Sequence, residues 1–196
     1  MLALTVVILM FFGAVGAGVV LYNSLVRKRN IYKNAFAQID VQLQRRFDLI
    51  PNLVESVRAY MKHESQTLTH VIAARRGAQA ALEQTKNTPI TPKSLQKLSQ
   101  ANDTLNGALR QLAVVVENYP DLKASQNMLH LQEELSSTEN KVAFARQAYN
   151  DAVMEYNTSL EIFPQNMLAS VFGFERAAVF EIENTSAAKN AVPIQF

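Results

Sequence analysis

Residues 2–21 of this chain read LALTVVILMFFGAVGAGVVL, an unbroken apolar run in which Thr5 carries the only hydrogen-bonding side chain. At ~1.5 Å of rise per residue, about 20 apolar residues in a helix cross the ~30 Å hydrocarbon core of a bilayer. A cleaved signal peptide would place basic residues ahead of a shorter apolar core. Here no basic residue precedes the run and the first charge is Arg27. Only the small residues of 13–18 favour processing. The expectation is a transmembrane anchor over residues 1–24.

The flanking charge suggests an orientation. Arg27, Lys28, Arg29 and Lys33 follow the span closely, so the positive-inside rule puts the soluble part in the cytoplasm. The opposite arrangement, with that part periplasmic or extracellular, stays open because a single residue precedes the span. The same four residues form a basic collar at headgroup level, where anionic lipid would meet them. Within the span, Gly13 with Ala17 and Ala14 with Gly18 are small residues at i, i+4 spacing. Such pairs let helices approach closely in lipid, so a homo-oligomer is expected.

Beyond the anchor the chain carries only Gly77, Gly107 and Gly173, far too few turn residues for a strand-and-turn protein. Prolines at 51, 89, 92, 120 and 164 divide it into four long stretches, each with helical periodicity. Leu25, Tyr32, Phe36, Ile39, Leu43, Phe47 and Ile50 mark the first stretch. Leu53, Val57, Met61, Leu68 and Val71 mark the second. Leu95, Leu98, Asn102, Leu105, Leu109, Leu112 and Val116 alternate spacings of three and four without a slip. So do Met128, Leu131, Leu135, Thr138, Val142, Ala145, Tyr149, Ala152 and Tyr156. That alternation is the seam of a left-handed helical bundle.

Helix-start chemistry sets the expected turns. Asn52 with Glu55 reads as a capping box just after Pro51. Thr91 before Pro92 reads as an N-cap with proline at the first helical position. Asn118-Tyr119-Pro120-Asp121 breaks the chain again. Short links make neighbours antiparallel. The fold class is therefore all-α: an N-terminal transmembrane helix continuous with an antiparallel four-helix bundle over residues 25–161. An aromatic-rich segment at 162–183 and a loose tail at 184–196 would follow. The lengths conflict, however. The fourth helix would run ~60 Å and the first only ~40 Å beyond the anchor.

Chemistry-bearing motifs are sparse. His63, His70 and His130 lack the HExxH spacing of a zinc protease and the paired Glu-x-x-His of a di-metal bundle. No phosphate-binding glycine loop is present, and with no cysteine there is no thiol nucleophile and no disulfide. The sequence thus supplies no catalytic residue, metal site or cofactor. A net charge of +2 gives no electrostatic case for nucleic acid.

Three surfaces remain as candidates. Arg45, Arg46 and Asp48, beside the expected turn at Pro51, would meet Tyr119 and Asp121 at the distal tip and present a partner-binding surface. Phe163, Phe172, Phe174 and Phe180 make the segment after the bundle unusually aromatic. It either closes the bundle end or lies in the membrane interface. Tyr149-Asn150 and Tyr156-Asn157, seven residues apart, are either a docking strip or an interior polar network. The seam position favours the network.

The runs YNSLVRKRNIYKNAFAQIDVQLQRRFDLIPNLVESVRAYMKHE (22–64), NYPDLKASQNMLHLQEELSSTENKVAFARQAYNDAVMEYNT (118–158) and FPQNMLASVFGF (163–174) resemble the LemA family. The resemblance covers nearly the whole chain, the Lys86–Pro92 link being the least typical part. It implies a helical protein anchored in the bacterial inner membrane and supplies no catalytic residue. The family's associations with a membrane metalloprotease and with membrane-organising proteins imply an adaptor or scaffold with lipid, a second copy and an envelope protein as partners. A membrane-shaping protein acting on lipid through the collar and aromatic segment is the alternative.

Overall fold

The computed structural model describes residues 1–61 and 64–180; His63 and the tail expected at 184–196 lie outside them. All regular structure in the described residues is helical: α1 Leu2–Arg58, α2 Ser65–Asn87, α3 Pro92–Val116, α4 Pro120–Lys123, α5 Gln126–Ser159 and α6 Gln165–Val171. The residues 2–21 lie in α1, the one described helix long and apolar enough to cross a membrane, and the apolar window is unburied by protein.

The expected turn at Pro51 does not exist. α1 continues through that proline for 57 residues in all, and the chain turns only after Arg58. Asn52 and Glu55 are therefore helix-interior residues and not a capping box. Proline in a helix lacks the N–H that would bond the carbonyl four residues earlier. That carbonyl belongs to Phe47, and the Arg75 guanidinium of α2 donates to it from Nε at 2.6 Å. A charged donor from the neighbouring helix replaces the missing backbone bond.

Extending α1 removes the conflict in length. Residues 25–58 now match the 34 residues of α5, and the two helices pack against each other along their length. The fourth stretch is shortened as well, because residues 120–123 form the separate α4, whose Pro120 helps to part α3 from α5. The start of α3 is built as its sequence suggests. The Thr91 hydroxyl accepts from the Ser94 N–H at 3.1 Å, and Ser94 Oγ accepts from the Thr91 N–H at 2.9 Å, with Pro92 first in the helix.

α2 and α3 form a hairpin of 23 and 25 residues, shorter than the α1–α5 pair. Its near end is level with Asp40, which Lys86 reaches at 3.1 Å. The hairpin thus stops ~22 Å short of residue 25 along α1. Four matched helices are not what the chain builds. In the distal half, α1, α2, α3 and α5 share a buried cluster that includes Leu43, Val71, Leu98, Leu105 and Val142. In the proximal half, nearer the apolar run, the α1–α5 pair has no hairpin beside it. There the chain after α6 returns along α5 and ends, within the described residues, on the buried ring of Phe180.

Candidate functional site

The proximal interior is aromatic and polar where the distal interior is mainly aliphatic. Tyr32 of α1 lies 5.1 Å from the ring of Tyr156 and 6.4 Å from that of Tyr149, both on α5. Phe36 and Phe180 pack on Tyr149 from two sides, at 5.9 and 6.5 Å. Burial pushes the hydroxyls of Tyr149, Tyr156 and Tyr32 above the ordinary tyrosine range, so they are held as neutral donors.

Those donors grip the returning chain. The Tyr149 hydroxyl donates to the Ala178 carbonyl at 2.7 Å, and the Tyr156 hydroxyl to the Glu175 carbonyl at 3.0 Å. Asn157 takes both backbone groups of Ala177: its Nδ2 donates to the carbonyl at 2.9 Å, and its Oδ1 accepts from the N–H at 2.9 Å. Asn150 does the same at Phe180, at 2.9 and 2.7 Å. An amide side chain pairs with one residue's N–H and C=O much as a neighbouring strand would. The spacing follows from geometry. Seven residues of helix rise ~10.5 Å, and three residues of extended chain rise ~10 Å. A heptad Tyr-Asn repeat on α5 therefore meets every third residue of a segment running antiparallel to it, here 177 and 180. The rings point inward, as the network reading expects. The hydroxyls and amides, however, bond the chain's own backbone at 175–180 and not another helix. Another Tyr-Asn pair, Tyr22-Asn23 at the end of the apolar run, divides: Tyr22 packs on Phe172 and Phe174, at 4.9 and 5.7 Å, while Asn23 is exposed.

The aromatic segment splits in the same way. Phe180 is buried beneath the Arg146 guanidinium, 4.5 Å above its ring, and Phe174 is half-buried under Arg29 at 5.2 Å. Phe163 and Phe172 point outward. The basic collar is divided too. Lys28 is paired with Glu155 at 3.3 Å and Arg29 is stacked on Phe174, which leaves Arg27 and Lys33 exposed. In the apolar run, Gly13, Ala14 and Ala17 are exposed, Gly18 is half-buried, and a side chain built at Gly13 or Gly18 would meet nothing within 4 Å.

The residues expected at one distal tip are not brought together. Arg45, Arg46 and Asp48 sit within α1, and Asp48 is ~15 Å of helix short of Arg58. Tyr119 is the residue before α4 and Asp121 lies in its first turn. Arg45 faces Glu134 at 4.0 Å and Arg46 faces Glu139 at 3.7 Å, both across to α5. Arg46 is almost wholly enclosed, its side chain 5% exposed. Burial pushes its pKa down, with Glu139 opposing. Arg146 is lowered by the same cause, with Asp103 opposing and Arg46 adding to the shift. Around these two guanidiniums lie buried atoms with no hydrogen-bond partner: Nε of both arginines, and Oδ1 of Asn102 and Asn106. This polar layer borders an open cleft of about 250 Å3 between α3 and α5, walled chiefly by Leu53, Leu109, Leu112, Met128 and Leu135. Nothing in the sequence pattern signals the cleft, since Leu109 and Leu135 are ordinary seam positions. Among the described residues no three His, Cys, Asp or Glu side chains gather as a metal site would require.

The LemA family model matches residues 35–196, from the middle of α1 onward. The chain belongs to the LemA family. It is similar to the Magnetosome proteins MamQ 2 and MamQ 1 of Paramagnetospirillum magneticum, each 29% identical over 175 residues, covering 82% of this chain and 64% of theirs. It is also similar to Protein LemA of Metamycoplasma hominis, 28% identical over 159 residues, covering 81% of this chain and 68% of that protein. The chain thus matches just under two thirds of the length of the MamQ proteins. The family match takes in the clamp on α5, the clamped segment and both walls of the α3–α5 cleft.

Proposed function

We propose that this LemA-family chain is a membrane-tethered, self-associating and non-catalytic helical adaptor or scaffold. It would sit in a bacterial inner membrane and carry its bundle on the cytoplasmic side. The observation that supports this most is α1 itself, one helix of 57 residues running from the apolar run to the distal end of the protein. A chain built this way holds its bundle in line with its anchor and offers a surface at a fixed height. The open α3–α5 cleft, bordered by the unpartnered Nε of Arg46 and Oδ1 of Asn106, supports an envelope protein, such as a membrane protease, as the partner on that surface. Self-association is supported by the uncovered small residues Gly13, Ala14 and Ala17, with Gly18 beside them.

Light scattering of the full chain in mild detergents tests the self-association. The wild type should form a species larger than a monomer, and Gly13→Leu with Ala17→Leu should shift it toward smaller species. A wild type that is monomeric in several detergents, with no dimer on in-cell crosslinking from position 17, would reject it. Because the chain has no cysteine, Gln111→Cys reports the side of the membrane. It should resist an impermeant thiol reagent in intact cells, and ready labelling would put the bundle on the outer side. A membrane-shaping role on lipid is the second reading, favoured by the outward-facing Phe163 and Phe172.

A further inference from the structure

Residues 163–174, FPQNMLASVFGF, contain no charged side chain. The loop is pinched at its base by Arg176 and Glu161, paired at 2.8 Å, with the exposed Glu175 beside them. Inside it, α6 ends in a helix-stopping turn. Gly173 takes φ +66, and the Phe174 N–H bonds back to the Ala169 carbonyl at 2.9 Å, which turns the chain toward the Tyr-Asn clamp. α6 packs on α1. Its Ala169 is buried and its Leu168 half-buried, while Met167 and Val171, one turn apart, face away at 62% and 77% exposure. Phe163 and Phe172 join them at 77% and 57%. Single exposed apolar residues are ordinary, but a contiguous uncharged group of them marks a binding surface.

Its height along α1 says what it meets. Every residue from 1 to 17 is exposed, and the first partly covered ones are Gly18, Leu21 and Tyr22. Tyr22 carries Phe172 and Phe174 on its ring. The α6 loop is therefore level with the last turn of the apolar run and not beyond it. The exposed Arg27 follows ~9 Å further along the helix, where lipid phosphates would lie if 2–21 spans.

We infer that the α6 loop is a second membrane attachment, a foot whose Phe163, Met167, Val171 and Phe172 enter the headgroup–acyl boundary of the leaflet that the anchor leaves. The inference rests on the reading that residues 2–21 span the bilayer. Its ligand is the acyl-chain border of the bilayer itself. The foot is held at that depth from two sides, by the Tyr22 ring on α1 and by the Tyr-Asn clamp on the segment that follows it. Two attachments a few ångströms apart also limit how far the bundle can tilt on its anchor, which a single helix crossing would not.

The absence of tryptophan from the chain allows a direct test. Single variants of the full chain, Phe163→Trp and Phe172→Trp, are reconstituted into phosphatidylcholine vesicles with acyl-brominated lipid. Phe12→Trp in the apolar run and Phe144→Trp on the exposed face of α5 serve as references. The foot predicts blue-shifted emission and bromine quenching at 163 and 172 that approach those of Phe12→Trp, with Phe144→Trp unquenched. If Phe12→Trp is quenched while 163 and 172 behave like Phe144→Trp, the foot is in water and the inference is wrong, although the anchor stands. Blue-shifted but unquenched probes at 163 and 172 would mean that protein, such as a second copy, covers the loop, which also overturns it. An unquenched Phe12→Trp would remove the spanning reading, and the foot with it.

Discussion

The two halves of the protein along α1 are closed by different chemistry. The distal half is sealed by helix on helix, through leucines and valines whose burial is non-directional and tolerant of small shifts. The proximal half is sealed by an irregular return segment laid on a helix, through six hydrogen bonds with two tyrosines and two asparagines. An extended segment has backbone groups that no helix can pair, so the partner helix must supply side chains to satisfy them. A helical face built to pack another helix would leave those groups buried and unpaired. The difference shows why tyrosines, each followed by an asparagine, occupy the proximal part of the α5 seam where leucine and valine dominate the distal half.

The largest effect should come from the distal core. Leu105 is fully buried on α3, and truncating a buried leucine costs ~2–5 kcal/mol. Leu105→Ala should lower thermal stability sharply, whereas exposed Gln111→Ala should change it little. Equal effects would mean that α3 does not bury the face described. A smaller cost, ~1–3 kcal/mol, is expected when Arg75→Met leaves the Phe47 carbonyl without a donor. That cost should nearly vanish in a Pro51→Ala background, where residue 51 supplies its own N–H. Additive effects in this double-mutant cycle would refute the compensation. Smallest, and confined to the proximal half, is the contribution of Tyr149. Its pKa is raised on folding, so the stability it lends is complete below the unfolded value of ~10 and is lost as pH rises through the folded value. Protection of residues 174–180 from hydrogen exchange should fall on alkalinisation in the wild type, and fall less in Tyr149→Phe. Identical profiles would exclude the hydroxyl from the clamp.

Much of this was legible in the residues, and what was not has identifiable causes. The apolar run, the all-helical class, the Thr91 cap and the α3 seam from Leu95 to Val116 all follow from spacing alone. The turn at Pro51 did not materialise because its compensation, Arg75, lies on another helix, and no local pattern reveals which distant side chain can reach a freed carbonyl. That one displacement also moved Arg45, Arg46 and Asp48 away from the tip and left Arg45 and Arg46 facing α5. The Tyr-Asn pairs stood out by their heptad spacing, but their target did not. The clamp reads backbone, and backbone groups leave no mark in the sequence of residues 175–180. The α3–α5 cleft is invisible for a similar reason: whether a seam leucine meets another leucine or open space depends on how closely two helices approach.

The claim that the chain's own return segment completes the proximal half is tested most directly by hydrogen exchange on the full chain in lipid, wild type against Asn150→Ala with Asn157→Ala. Each asparagine holds the paired backbone groups of one tail residue and makes no hydrogen bond to the hairpin. The account predicts that protection is lost at 174–180 and weakened in the facing stretches of α1 and α5 near Tyr32 and Tyr149, while α2 and α3 keep theirs. Unchanged protection at 174–180, or a loss spread evenly over both halves, would contradict it.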